Sequence, residues 1–272
     1  MRQSKTLHHR GCVLAYEIGG QGDPVVWIQG MGLHGRGWAP QVDVLESRFT
    51  CLTFDNRGMA RSQPVGEALT IPLMAADVIA LMDREGLARA HLVGHSMGGL
   101  IALAAALEHR SRVRSLSLLN TFARGSDASR PRGPMIWLGA RTMIGTRRMR
   151  RLAFLEMVMP EEVLKTRDRD ALAAELEPIF GHDLGERPPI VMSQLSATGA
   201  YDATPRLAEL AGLPTLVVSA HHDIVAPAAF GRATAERIPG ARYVEIADAA
   251  HGWPVQKPDE ANRILAEHFT AS

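Results

Sequence analysis

An α/β fold is predicted, with a mostly parallel central sheet, helices on both faces and a helical insertion. Three observations predict it. Strand-like and helix-like segments alternate over the first 120 residues, and from Thr121 to about Pro205 they give way to helices rich in Met, Leu and Arg. The alternation then resumes after Leu213-Pro214. The expected organisation is one core from residues 1–120 and 206–272, with residues 121–205 inserted as a helical cap.

Each element has a local reason. Cys12 to Ile18 reads as a strand, and Gly19 to Pro24, with three glycines and a proline, as a turn. Val25 to Gln29 is a short apolar strand, followed by a glycine-rich loop from Gly30 to Gly37. A weak helix from Trp38 to Ser47 leads to a third strand, Thr50 to Asp55. Ile71, Met74, Val78, Leu81 and Met82 recur at helical spacing; Thr70 suits the N-cap, Pro72 the first turn and Gly86 the exit. His91 to Val93 is a strand that runs into glycines and an all-round apolar helix, Met97 to Leu107, a pattern that requires burial. Val113 to Leu119 follows as a strand, and Arg124 to Pro134 reads as a loop. In the last third, Thr215 to Ser219 and Tyr243 to Ile246 are strands, and Ala228 to Arg237 and Asp259 to Ala271 are helices. The last is amphipathic through Ala261, Ile264, Leu265 and Phe269.

Composition narrows the function classes. The 272 residues are 46% hydrophobic and 22% charged, as expected of a soluble globular chain. Thirty Lys and Arg against 29 Asp and Glu leave a net charge of +1, so no global field points to nucleic acid. Two cysteines are too few for a disulfide scaffold and suit a reducing compartment. The longest apolar run, Leu100 to Leu107, is far short of the roughly 20 residues that span a bilayer. Met1 to Gly11 is polar, without the apolar stretch of a signal peptide, so the expectation is a cytoplasmic protein with no membrane partner.

The chemistry is carried first by Gly94-His95-Ser96-Met97-Gly98, a G-x-S-x-G segment between a strand and a helix. A serine hydroxyl is a poor nucleophile until a base takes its proton, and a tight strand-to-helix turn exposes it for attack. Glycines on either side leave room for the close backbone approach that the turn demands. The plainer reading is a serine that caps the following helix.

Strand order, turn and insertion together resemble the α/β-hydrolase superfamily over nearly the whole chain, in the style of capped esterases and enol-lactonases. The resemblance implies a nucleophile, acid and base in that chain order. It points to His251, in Ala249-Ala250-His251-Gly252-Trp253-Pro254, as the base, with Ala250 and Gln256 where the family usually has Gly and Glu. It points to Asp223, after the strand ending at Ser219, as the acid that orients the imidazole; Asp248 is the rival and suits a turn. His221 and His222 read as loop residues rather than metal ligands.

The resemblance also implies an oxyanion hole made from the backbone N–H groups of Met31 and Met97, with Gln29 in place of the usual histidine. Gly30, His95, Trp137, Met143 and Trp253 are the expected pocket residues. The Met-rich insertion suits an adaptable apolar site, and its run of Arg141, Arg147, Arg148, Arg150 and Arg151 suits a solvated helix face. The segment Asp55 to Ser62 is expected to be a structural turn held by Arg and Asp hydrogen bonds.

The implied activity is cleavage of a small or medium, largely apolar ester or lactone, with no metal or organic cofactor. Carbon–carbon bond hydrolysis on the same three residues is an alternative, as is a slow-turnover ligand-binding receptor on the same scaffold.

Overall fold

The computed structural model describes residues 2–129 and 133–272. The strands are β1 (Gln3–His9), β2 (Cys12–Gly20), β3 (Pro24–Ile28), β4 (Thr50–Phe54), β5 (Ala90–His95), β6 (Val113–Leu119), β7 (Thr215–Ala220) and β8 (Arg242–Ile246). They form one sheet in the order β1-β2-β4-β3-β5-β6-β7-β8, parallel from β4 to β8 and antiparallel at β1-β2 and β2-β4. The predicted mostly parallel α/β fold is observed. One strand, β1, has no counterpart in the sequence reading. Its segment is polar and largely exposed at the sheet edge, so no apolar alternation marks it; it is held by its hairpin to β2.

In chain order the helices are α1 (Ala39–Leu45), α2 (Ile71–Arg84), α3 (Met97–Glu108), α4 (Gly125–Ser129), α5 (Gly133–Arg141) and α6 (Arg147–Val158). After these come α7 (Glu161–Thr166), α8 (Arg169–Phe180), α9 (Val191–Gly199), α10 (Ala228–Arg237), α11 (Trp253–Gln256) and α12 (Pro258–Thr270). The inner strands bury both faces, as a parallel sheet must. Along β3, Val26 and Ile28 join the core beneath α2, α3 and α10, while Val25 and Trp27 join the core beneath α1 and α12. Thr70 caps α2, its hydroxyl accepting from Leu73 N at 3.1 Å, and Met97 to Leu107 of α3 is buried throughout. The first helix is shorter than expected: Trp38 lies in a 3-10 turn, so α1 begins at Ala39 and ends at Leu45. Gly125–Ser129, read as loop, is the short helix α4, while residues 130–132 of that loop lie outside the described residues.

Helices α4 to α9 lie between β6 and β7, and α6 to α8 have an apolar cluster of their own. Leu155, Val158, Leu172, Leu176 and Phe180 pack with Leu33 from the loop after β3. The arginine run is paired within this insertion. Arg147 and Arg151 converge on Asp183, Arg148 lies 2.7 Å from Asp170, and Arg150 donates to the Gly145 and Gly185 carbonyls at 2.8 Å. Among the described residues, no helix is long and apolar enough to cross a membrane.

Two buried histidines give the core a pH dependence. Burial, reinforced by Arg114, pushes His91 down to about 4, and burial pushes His268 down to about 4. The unfolded chain takes up these protons near pH 6.5, whereas the folded chain resists them until about pH 4. The stability they carry is therefore complete above pH 6.5 and drains away as pH falls toward 4. The expected loss is on the order of 3 kcal/mol per ring. Urea midpoints measured from pH 7 to 4.5 should fall steeply, and His268→Leu should flatten that fall. An unchanged profile in His268→Leu would remove this residue from the account.

Candidate active site

Packing around the turn after β5 places Ser96. A Cβ at Gly94 would lie 2.2 Å from the Gly98 carbonyl, and one at Gly98 would lie 2.2 Å from the Ile28 carbonyl, so the turn closes only with glycine at both positions. Ser96 itself is driven to φ 55°, ψ −122°, a strained conformation for a residue with a side chain. Three hydrogen bonds hold it there. Ser96 N donates to the Leu119 carbonyl at 3.0 Å, and its own carbonyl accepts from Gly99 N at 2.9 Å and from Thr121 Oγ1 at 2.6 Å.

Asp223 and His251 meet across two loops. His251 Nδ1 lies 2.7 Å from Asp223 Oδ2, and both residues are buried. Asp223 Oδ1 accepts from Val225 N and Ala226 N, each at 2.8 Å, and Oδ2 also accepts from Asn120 Nδ2 at 2.9 Å. Burial alone would raise this carboxyl. The adjacent His251, the Ala226 amide and the Asn120 carboxamide outweigh it and hold Asp223 below the usual carboxylate range. A carboxylate there requires the proton of His251 on Nδ1, which leaves Nε2 as the basic nitrogen. No hydrogen bond joins Ser96 Oγ to His251 among the described residues. Such pairs often close only when substrate binds.

His95, the neighbour of Ser96 in the chain, contacts His251. Its Nε2 donates to the His251 carbonyl at 2.9 Å, and the two rings lie 4.8 Å apart, centre to centre. Burial, then the neighbouring His251, presses His95 down to about 3, so the ring is neutral. The loop after β3 completes the arrangement. A Cβ at Gly30 would meet His95 and Ser96 at 3.3 Å, so this loop lies against Ser96. Gln29 braces its own loop: its Oε1 accepts from Gly30 N at 2.9 Å and its carbonyl accepts from Asn56 Nδ2 at 2.8 Å. The amides of Met31 and Met97, the latter opening α3, donate to no acceptor among the described residues.

A family model described as the alpha/beta hydrolase fold matches residues 23–258. The chain belongs to this family. A protein of Azorhizobium caulinodans provisionally named carbamate hydrolase RutD is 30% identical over 263 residues, 93% of either chain. A Mycobacterium tuberculosis protein provisionally named non-heme bromoperoxidase BpoC is 30% identical over 262 residues, 95% of this chain and 98% of its own. The crystal structure of the enol-lactonase from Burkholderia xenovorans LB400 superposes with a TM-score of 0.81 at 29% identity, covering 98% of this chain and 100% of that one.

Within this hydrolase fold, several expected pocket residues lie elsewhere. Trp253 is wholly buried, packed in the core beneath α1 and α12, and presents no accessible surface to a substrate; its pocket assignment is corrected. The aromatic ring that follows the histidine loop serves the sheet rather than the site. Trp137 and Met143 are 64% and 59% exposed on the insertion, Trp137 under the Arg141 guanidinium and Met143 against Arg187. Asp248 pairs with Lys257 in an exposed turn, and His221 pairs with Glu245 at 2.8 Å. Asp55 accepts from Gly35 N at 2.9 Å, so the Asp55 segment braces the loop beside the site. Asn120 was missed by sequence reasoning. The available signal was an asparagine at the end of β6, where it takes φ 46°, a left-handed conformation that asparagine tolerates.

Proposed function

We propose that this chain is a serine hydrolase that cleaves a carboxylic ester or lactone through an acyl-enzyme. The observation that carries the reading is the buried Asp223–His251 pair at 2.7 Å, beside a serine held in a strained strand-to-helix turn. Ser96 Oγ attacks the carbonyl carbon while its proton passes to His251 Nε2. The Met31 and Met97 N–H groups hold the resulting oxyanion, and His251 returns the proton to the departing alkoxide. A water molecule then attacks the acyl group by the same route in reverse and frees Ser96. Residues 121–205 act as a cap over this site. The Met- and Leu-rich composition of this segment supports a small to medium, largely apolar acyl substrate, and the location we propose is the cytoplasm. An enol-lactonase among the similar structures supports the same carbonyl chemistry.

A fluorophosphonate probe read by intact mass tests the reading. Wild type should gain one adduct per chain and Ser96→Ala none, and steady turnover of short p-nitrophenyl esters should vanish with the same substitution. A folded wild type that neither labels nor turns over ester or lactone would overturn the proposal in favour of a ligand-binding role.

A further inference from the structure

Beside the Leu33 packing, two side chains of the insertion grip the loop after β3 at Gly32. Gly32, at φ 73°, donates its N–H to Gln194 Oε1 at 2.9 Å, and its carbonyl faces His182 Nε2 at 2.9 Å. Gln194 lies on α9 and His182 in the turn after α8, 162 and 150 residues along the chain from Gly32. Gln194 is completely buried, and its Nε2 has no hydrogen-bond partner. An unpaired buried amide nitrogen costs about 1–3 kcal/mol, so this side chain sits there at a local cost that its bond to Gly32 N offsets only in part.

The pattern along the loop has one gap. The Gln29–Gly30 peptide is held on both sides, by Gln29 Oε1 and by Asn56 Nδ2. Two peptides later, the Met31–Gly32 peptide is held through Gly32 N by Gln194. The peptide between them carries the Met31 N–H, which donates to no group among the described residues.

We propose that Gln194, assisted by His182, is a positioning residue that aims the Met31 N–H at the oxyanion. The insertion therefore sets the geometry of the oxyanion hole as well as covering the site. This inference rests on the serine hydrolase reading and on Met31 as an oxyanion donor. A loop that can rotate by a fraction of an ångström loses alignment in the transition state more than in the ground state, so the loss falls on kcat.

The test compares wild type, Gln194→Leu and Gln194→Glu on a short p-nitrophenyl ester, with melting temperatures as a check on folding. Leucine removes the acceptor for Gly32 N, and kcat is expected to fall by about 10- to 100-fold with KM within about twofold. Affinity for a boronic acid that forms a tetrahedral adduct should fall in step with kcat. Glutamate keeps an acceptor oxygen and should restore most of the lost kcat.

A Gln194→Leu enzyme with wild-type kcat, in a protein whose turnover depends on Ser96, overturns the clamp and leaves the hydrolase reading standing. Equal losses in the Leu and Glu variants also overturn it. If Gln194→Leu does not fold, His182→Phe cuts the other side of Gly32; the same kcat-specific loss supports the clamp, and an unchanged kcat overturns it. Wild type without Ser96-dependent turnover removes both readings.

Discussion

Asp223→Asn is expected to lower kcat by about 10,000-fold while leaving KM nearly unchanged. The size follows from how the four hydrogen bonds to this carboxylate are arranged. Val225 N and Ala226 N both donate to Oδ1, so an asparagine must keep its carbonyl oxygen on that side. Its NH2 group then faces His251 Nδ1 and Asn120 Nδ2 at the former Oδ2 position, and both of those groups are donors. The imidazole can satisfy this only by moving its proton from Nδ1 to Nε2, and in that tautomer it cannot accept the proton of Ser96. Side-chain volume is unchanged and the loop amides stay bonded, so binding is preserved while base catalysis is lost. Steady-state kinetics on a p-nitrophenyl ester decides it. A loss of less than tenfold in a folded variant would remove Asp223 from the catalytic role.

Asp77→Ala is expected to destabilise the fold by about 3–5 kcal/mol, or on the order of 10 °C in melting temperature. Arg57 is wholly buried, and its Nε and Nη2 donate to the two Asp77 carboxylate oxygens at 3.0 and 2.6 Å. Its remaining donors are held by the Arg10, Val65 and His9 carbonyls, which pins the β1-β2 hairpin and the Val65 loop to α2. Removing the carboxylate leaves a buried guanidinium without its counter-charge, and that desolvation penalty dominates over the small volume lost. Asp77→Asn keeps one acceptor and should cost less. Thermal melts of both variants check this; a shift under 3 °C in Asp77→Ala would mean that water or a rearranged loop neutralises the charge.

Both predictions rest on contacts whose partners differ in how legible they are in the sequence. Ser96 was legible because a strand-to-helix turn is local: glycines, serine and the flanking strand and helix sit within a dozen residues. Asp223 and His251 were legible only through their positions after particular strands, once the resemblance supplied the order. Asn120, His182 and Gln194 leave no such mark. Their partners lie 103, 150 and 162 residues away, and polar residues at element ends are ordinary in any chain. Trp253 shows the opposite failure. A tryptophan two residues from His251 looks like a pocket wall, yet the helix α11 that it opens turns the ring beneath the sheet. The polar edge strand β1 escaped for a related reason, since its hydrogen bonds to β2 hold it without apolar alternation.

The sequence by itself determined the α/β class, the helical insertion and the strand-to-helix turn at Ser96, because apolar periodicity and glycine placement are written over short stretches of chain. It also determined that α3 must be buried, since an all-round apolar helix has no face to show to water. Tertiary structure alone decided which groups meet: that Asn120 secures Asp223, that the arginine run pairs within the insertion, and that Gln194 and His182 grip Gly32. The physical reason is range. Periodicity and turn chemistry act between residues a few positions apart, whereas a hydrogen bond across 150 residues depends on the placement of every element between its ends.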